Sequence, residues 1–140
     1  MYSTILHATD LSANHYNLCK QASAIAQNFN AEFHLIHVIE LPPSLQLAQG
    51  LGFAEVSAPF KEGAVAAMKY LGEALNIPLE NQHIVVGSVK AHILDMVETL
   101  GVELMIIGSH TPNALSAFLG STANAIVNHA KCDVLTLKEV

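Results

Sequence analysis

The segment GSHTPNALSAFLGST, residues 108–122, carries the residue types best suited to holding an anion. Glycine lets a backbone approach an anion closely, while hydroxyl groups and the free N–H groups at a helix start donate hydrogen bonds. The segment therefore predicts an oxyanion cradle. Its candidate residues are Gly108, Ser109, Gly120, Ser121 and Thr122. The alternative interpretation is that the glycines serve turns and that Ser121 caps the last helix.

Hydrolytic chemistry is a weaker hypothesis for the same region. Asp10, His110 and a serine at 109 or 121 could meet at one sheet edge, but no G-x-S-x-G elbow places a serine for attack. Neither G-x-x-x-x-G-K-[ST] nor a G-x-G-x-x-G after the first strand occurs. We therefore assign no catalytic residue and exclude a P-loop NTPase.

The eight histidines invite a metal hypothesis, which their spacing does not support. His34 and His37 are expected to point to opposite faces of one strand, because side chains alternate along strands. His7, inside the first strand, is interpreted as a core histidine with its hydrogen bonds satisfied. Four further histidines are isolated along the chain: His15, His83, His92 and His129. The sequence thus predicts no metal site.

Alternating strand and helix patterns must position these residues. Apolar runs predict five strands, at residues 2–9, 31–39, 83–86, 104–107 and 133–137. Helical periodicity predicts four helices. The first begins after an N-cap at Ser12, the second begins at about Pro59, the third spans residues 91–100 with a C-cap at Gly101, and the fourth runs through residues 123–130. Residues 41–58 are expected to form a loop. The pattern predicts one α/β domain over residues 1–140, with a doubly wound, Rossmann-like parallel sheet whose ligands bind at the carboxyl ends of its strands.

Composition narrows the possible partners. The chain has six basic residues, all of them lysines scattered singly, and twelve acidic residues, so we expect no nucleic-acid binding. No run reaches the length of a membrane span and the start lacks a basic leader, so we expect a cytoplasmic protein that binds no membrane. Cys19 and Cys132 are interpreted as small buried hydrophobes. A hydrophobic content of 51% and an apolar last strand predict a homodimer that pairs through that strand.

In order and spacing, several short motifs resemble those of universal stress proteins over essentially the whole chain. They are Asp10-Leu11-Ser12, Leu35-Ile36-His37-Val38, Gly87, Gly108-Ser109-His110, Gly120-Ser121 and the closing NHAKCDVL at residues 128–135. The resemblance implies the adenine nucleotide alpha hydrolase-like fold and pairing through the last strand. It also implies that an adenine nucleotide such as ATP binds with its adenine and ribose beside Asp10 and Val38. Its phosphates would be surrounded by Gly108, Ser109, His110, Gly120 and Ser121.

The phosphate motif departs from that of the nucleotide-binding members in two ways. Thr111 stands where their second glycine belongs, and eight residues rather than nine separate it from Gly120. With no arginine in the chain, the phosphate charge must be neutralised by backbone amides, by a metal ion such as Mg²⁺ or by Lys90. Two hypotheses remain: a nucleotide-responsive stress or regulatory protein without robust turnover, and a dimeric interaction module that binds no nucleotide.

Overall fold

The computed structural model describes residues 1–12, 15–109 and 121–138, which form one five-stranded parallel sheet between two layers of helices. The strands are β1 (Thr4–Ala8), β2 (Glu32–Ile39), β3 (Gln82–Val86), β4 (Leu104–Ser109) and β5 (Asp133–Lys138). The helices are α1 (Tyr16–Asn28), α2 (Pro43–Gly50), α3 (Ala58–Leu75), α4 (Val89–Leu100) and α5 (Ser121–His129). The predicted α/β fold is confirmed.

The strand order is β3-β2-β1-β4-β5, and every neighbouring pair is parallel. The winding direction therefore reverses between β1 and β4, which is where open α/β sheets bind ligands. The central strands are apolar almost throughout because both of their faces are covered. One core cluster packs α1 and α3 against the sheet, and the other packs α4 and α5 against the opposite face.

Within the described residues the structure has five α-helices rather than the predicted four, because α2 lies inside the segment expected to be a loop. Pro43 occupies the first turn of α2, where its missing N–H removes no hydrogen bond, and Pro42 has the extended conformation of a residue that precedes a helix. A short 3₁₀ turn, Ala54–Ser57, follows before α3. The proline pair that suggested a loop is thus a helix start.

The start of α1 also differs from the prediction. Ser12 does not cap the helix, since α1 begins only at Tyr16 and His15 occupies the N-cap position. The Ser12 backbone N–H instead donates to Asp10 Oδ1 at 2.8 Å. Leu11 lies between them at φ 62°, so the chain turns sharply after β1. By contrast, the predicted C-cap at Gly101 is confirmed, with φ 64° and ψ 42°.

The two cysteines lie on opposite faces of the sheet. Cys19 is buried in the cluster beneath α1, as predicted, while Cys132 packs against the other cluster and is only half-buried. Across the described ranges of the chain, no helix has the length and apolar character needed to cross a membrane.

Candidate functional site

A cavity of about 410 Å³ opens at the carboxyl ends of β1, β2 and β4, beside the point where the winding reverses. Its walls are largely aliphatic, and its polar groups come from the strand ends, from the start of α1 and from the first turn of α5. The aliphatic lining residues include Ile36, Val38, Ile93, Ile107 and Ile126. An apolar cleft with a few convergent polar groups is the usual form of a small-molecule site.

Four of the residues predicted for the site line this cavity: Asp10, Val38, Gly108 and Thr122. Ser109 ends β4 and Ser121 begins α5, so each is the chain neighbour of a lining residue. His110 and Gly120 lie outside the described residues. The structure therefore brings together the residues expected beside an adenine and two of those expected at the phosphates.

Asp10 is exposed, and its carboxylate is held by the turn after β1. Burial of part of the group opposes ionisation, but hydrogen bonds from Ser12 and the nearby His15 and His37 outweigh it, so the pKa of Asp10 lies below its usual value. The ionised carboxylate is an acceptor only. It can therefore accept hydrogen bonds from ribose hydroxyls or from the amino group of an adenine.

Sequence reasoning missed three polar residues of the cavity: Thr9, His15 and His37. His37 Nδ1 lies 2.8 Å from the backbone oxygen of Thr9, to which it donates. Sequence position could have indicated two of these residues, because Thr9 directly precedes Asp10 and His37 directly precedes Val38 at the strand ends. His15 carried no such signal and was wrongly considered isolated.

Gly108 has a packing role besides its place in the cavity wall. A Cβ at this position would lie 2.7 Å from Leu18 Cδ1 and 3.5 Å from His15 Nε2. A side chain at the end of β4 would therefore force the buried Leu18 side chain of α1 to shift. Gly108 lies within β4, so its structural role is close packing and not the turn that the sequence suggested.

The positive charge available at the cavity is limited. All six lysines belong to the described residues, and none of them lines the cavity. Lys90, which the sequence suggested as a phosphate partner, is exposed on the first turn of α4. The start of α5 does reach the cavity, through Thr122 and Ala123, and helix N-termini attract anions.

His7 is buried below the cavity, and only half of its hydrogen-bonding capacity is used. Its Nδ1 lies 2.8 Å from the backbone oxygen of Ile106, but its Nε2 is buried without a partner among the described residues. Burial lowers the pKa of His7 to about 4, with a smaller contribution from His15 and a partly opposing hydrogen bond to Ile106. The ring is therefore neutral near pH 7, and the prediction of a fully satisfied core histidine is wrong.

Comparison with known proteins gives one consistent result. The model of the "Universal stress protein family" matches residues 1–138. Universal stress protein A homolog 2 of Coxiella burnetii is 35% identical over 98% of this chain and 95% of its own length. Homolog 1 of the same organism is 33% identical, over 97% of this chain and 96% of its own.

Solved structures show the same fold. Hypothetical protein MJ0577 superposes with a TM-score of 0.80 at 26% identity, covering 100% of this chain and 98% of its own. A universal stress protein solved in complex with cAMP superposes with a TM-score of 0.71 at 18% identity, covering 99% and 98%.

Proposed function

Since this chain belongs to the universal stress protein family, we propose that it binds an adenine nucleotide in the cavity at the ends of β1 and β4 and acts as a nucleotide-responsive stress or regulatory protein without robust turnover. The cavity carries the proposal, because it combines apolar walls, an ionised carboxylate and a helix start at the winding reversal. A related protein of this fold was solved with cAMP, which supports an adenine nucleotide as the ligand class.

Each part of the nucleotide has a partner of suitable chemistry. Val38 and the isoleucines of the walls suit an adenine ring, and Asp10 suits hydroxyl or amino donors. The backbone at Gly108 and at the start of α5 suits phosphate oxygens. Because no lysine lines the cavity, we expect Mg²⁺ to accompany ATP, whose charge exceeds what backbone amides can offset.

Titration calorimetry with ATP, with and without Mg²⁺, tests this proposal. We expect Asp10→Ala to weaken binding by about 1–3 kcal/mol, or about 5- to 150-fold in Kd, through lost hydrogen bonds. Asp95→Ala is the matched control, since Asp95 is exposed on α4 and does not line the cavity. Absence of heat with millimolar ATP, ADP and cAMP, or equal weakening by both variants, would contradict the proposal.

The second candidate function is a dimeric interaction module that binds no nucleotide. The observation that favours it is the sheet edge: β5 is an outer strand, and Val134, Leu135 and Leu137 on it are only half-buried. Open apolar edges tend to pair with another copy. We propose a homodimer through β5 under either function, so calorimetry with nucleotide is the measurement that separates them.

A further inference from the structure

A second cluster of chemically active groups lies outside the nucleotide cavity, where β1 faces the start of α1. His7 comes from β1, and His15 and Cys19 come from the N-cap and first turns of α1. Spacing of four residues places His15 and Cys19 on one side of the helix. One donor atom from each of the three residues lies within 4.8 Å of the other two.

Two nitrogens of this cluster lack a partner. Among the described residues, the buried side-chain nitrogen and oxygen atoms without a hydrogen bond are His7 Nε2 and His15 Nδ1, and both belong to the cluster. Buried polar atoms are nearly always paired, because an unpaired one loses its hydration without compensation. Two such atoms in one cluster of three metal-ligating residues indicate that a further group belongs in it.

The tautomer of His7 is suited to a metal ion. Its Nδ1 donates to the backbone oxygen of Ile106, which leaves the lone pair on the unpartnered Nε2 free to bind an ion. This arrangement, with one ring nitrogen bonded to a carbonyl and the other free, is the one that orients most metal-binding histidines. The ring is fully buried, so its orientation is fixed by packing.

The donor set selects the kind of ion. Two imidazole nitrogens and a thiol sulfur suit Zn²⁺ and similar transition metals, whereas Mg²⁺ and Ca²⁺ prefer oxygen donors. We propose that His7 Nε2, His15 Nδ1 and Cys19 Sγ bind one Zn²⁺ ion. As the zinc–sulfur bond forms, the Cys19 thiol gives its proton to solvent, and the fourth position is taken by water.

A path to the site exists in the described structure. His15 and Cys19 also line a second cavity of about 450 Å³ between α1 and α3, bounded by Tyr70 and Leu71. Zinc–nitrogen and zinc–sulfur bonds of about 2.0–2.3 Å require the donors to draw together by on the order of 1 Å. His15 is only half-buried at the start of α1, so rotation of its side chain can supply much of this movement.

The site would also touch the nucleotide cavity, because His15 lines both. A bound ion would fix the His15 ring in the wall of that cavity. Zinc binding itself does not depend on the nucleotide proposal, since its three ligands need no nucleotide. Failure of one proposal therefore leaves the other standing.

Titration of the reduced, untagged chain with Co²⁺ near neutral pH tests the site. Cobalt is a spectroscopic substitute for zinc, and coordination by Cys19 gives a thiolate-to-cobalt charge-transfer band with visible bands typical of a tetrahedral site. We expect one equivalent of Co²⁺ to bind and one equivalent of Zn²⁺ to displace it. Mutating a residue that only hydrogen-bonds to a metal ligand typically lowers the metal affinity 10- to 100-fold. Replacing the ligand itself, as in Cys19→Ser, should therefore remove the charge-transfer band and weaken binding by at least about 100-fold.

Two further variants keep the test decisive. Cys132→Ser, which changes the half-buried cysteine on the other face of the sheet, should leave the titration unchanged. His15→Ala should weaken binding while circular dichroism shows a folded chain, since His15 is partly exposed. The proposal is overturned if the unmodified chain shows no charge-transfer band, which is the result expected if a water molecule bridges the two nitrogens. It is also overturned if Cys132→Ser removes the charge-transfer band.

Discussion

Gly108, at the end of β4, lines the cavity and also packs closely against α1. The sequence predicts it as part of an anion cradle, and the structure places it in the cavity wall. The structure adds the close approach of Leu18, which no sequence pattern indicates because the two residues belong to distant segments. The role predicted for Gly108 was therefore incomplete, because its packing partners depend on the whole fold and cannot be found from the neighbouring sequence.

We expect Gly108→Ala to destabilise the protein by about 1–3 kcal/mol, because the new methyl group would press on the buried Leu18. Gly63→Ala is the control: Gly63 lies inside α3, a Cβ there has open space, and alanine should stabilise the helix by up to about 1 kcal/mol. Urea denaturation measures both. Equal effects of the two substitutions would show that Leu18 yields without cost.

His83 provides a pH dependence of stability. Burial lowers the pKa of His83, and the neighbouring His34 adds a smaller contribution. His34 Nδ1 lies 3.0 Å from His83 Nε2, and the other ring nitrogen of His34 lies 3.2 Å from a carboxylate oxygen of Glu32. The unfolded chain binds a proton at this position more readily than the folded chain does. Stability from this residue is thus fully present above the ordinary histidine pKa and lost as pH falls below it.

Replacing His83 by glutamine should therefore flatten the fall in unfolding free energy between about pH 7 and pH 5. Asn128→Gln, at the exposed end of α5, is the control and should leave the slope unchanged, because neither side chain binds a proton in this pH range. Urea denaturation at a series of pH values measures the slope. A His83→Gln slope equal to that of the unmodified chain would mean that the histidine pair does not affect folding.

At the scale of elements, the strands were predictable and some helix starts were not. Strands β1, β2 and β4 are buried runs, so composition alone indicates them. Helix α2 was missed because its signal, a proline pair, marks loops as well as helix starts, and because α2 buries no residue that would give it an apolar stripe. The start of α1 was misplaced because a serine after an apolar run is typical of an N-cap, whereas the chain turns at Leu11 and the helix begins only at Tyr16.

Helix α4 has the clearest cap among the described helices. Ser88 has extended backbone angles, and its side-chain oxygen accepts from the Ala91 N–H at 3.3 Å. We expect Ser88→Ala to cost about 1 kcal/mol, and Ser88→Asp to retain most of the stability because aspartate caps equally well. Thermal or urea unfolding checks this pair. If alanine and aspartate behaved alike, the cap would contribute nothing to stability.

At the scale of the whole molecule, topology decides which distant residues meet. The resemblance to universal stress proteins implied that Asp10, Val38 and Gly108 share a nucleotide site, and the segment 108–122 suggested Thr122 as a phosphate residue. The cavity brings these four residues together, because parallel strands bring their carboxyl ends to one edge. The sequence did not predict the His7, His15 and Cys19 cluster. That cluster depends on the packing of α1 against β1, which periodicity does not reveal.

Pairing through β5 also belongs to this scale. Thr136 is exposed in the middle of β5, so in a symmetric dimer it should lie near its own copy. We expect Thr136→Lys to weaken the dimer by like-charge repulsion, and Thr99→Lys on the exposed face of α4 to leave it intact. Light scattering across a dilution series compares the two variants. A monomer for the unmodified chain, or a Thr136→Lys dimer as stable as the control, would contradict the proposed interface.

The most direct test of the nucleotide site uses the isoleucine methyl groups. Four isoleucines line the cavity, at positions 36, 93, 107 and 126, while Ile25, Ile77 and Ile84 do not line it and serve as internal controls. In a methyl NMR titration with Mg²⁺-ATP, we predict saturable shifts for the cavity isoleucines and little change in the controls. Unchanged spectra at millimolar nucleotide, or the largest shifts at Ile77, would contradict an adenine nucleotide site at the ends of β1 and β4.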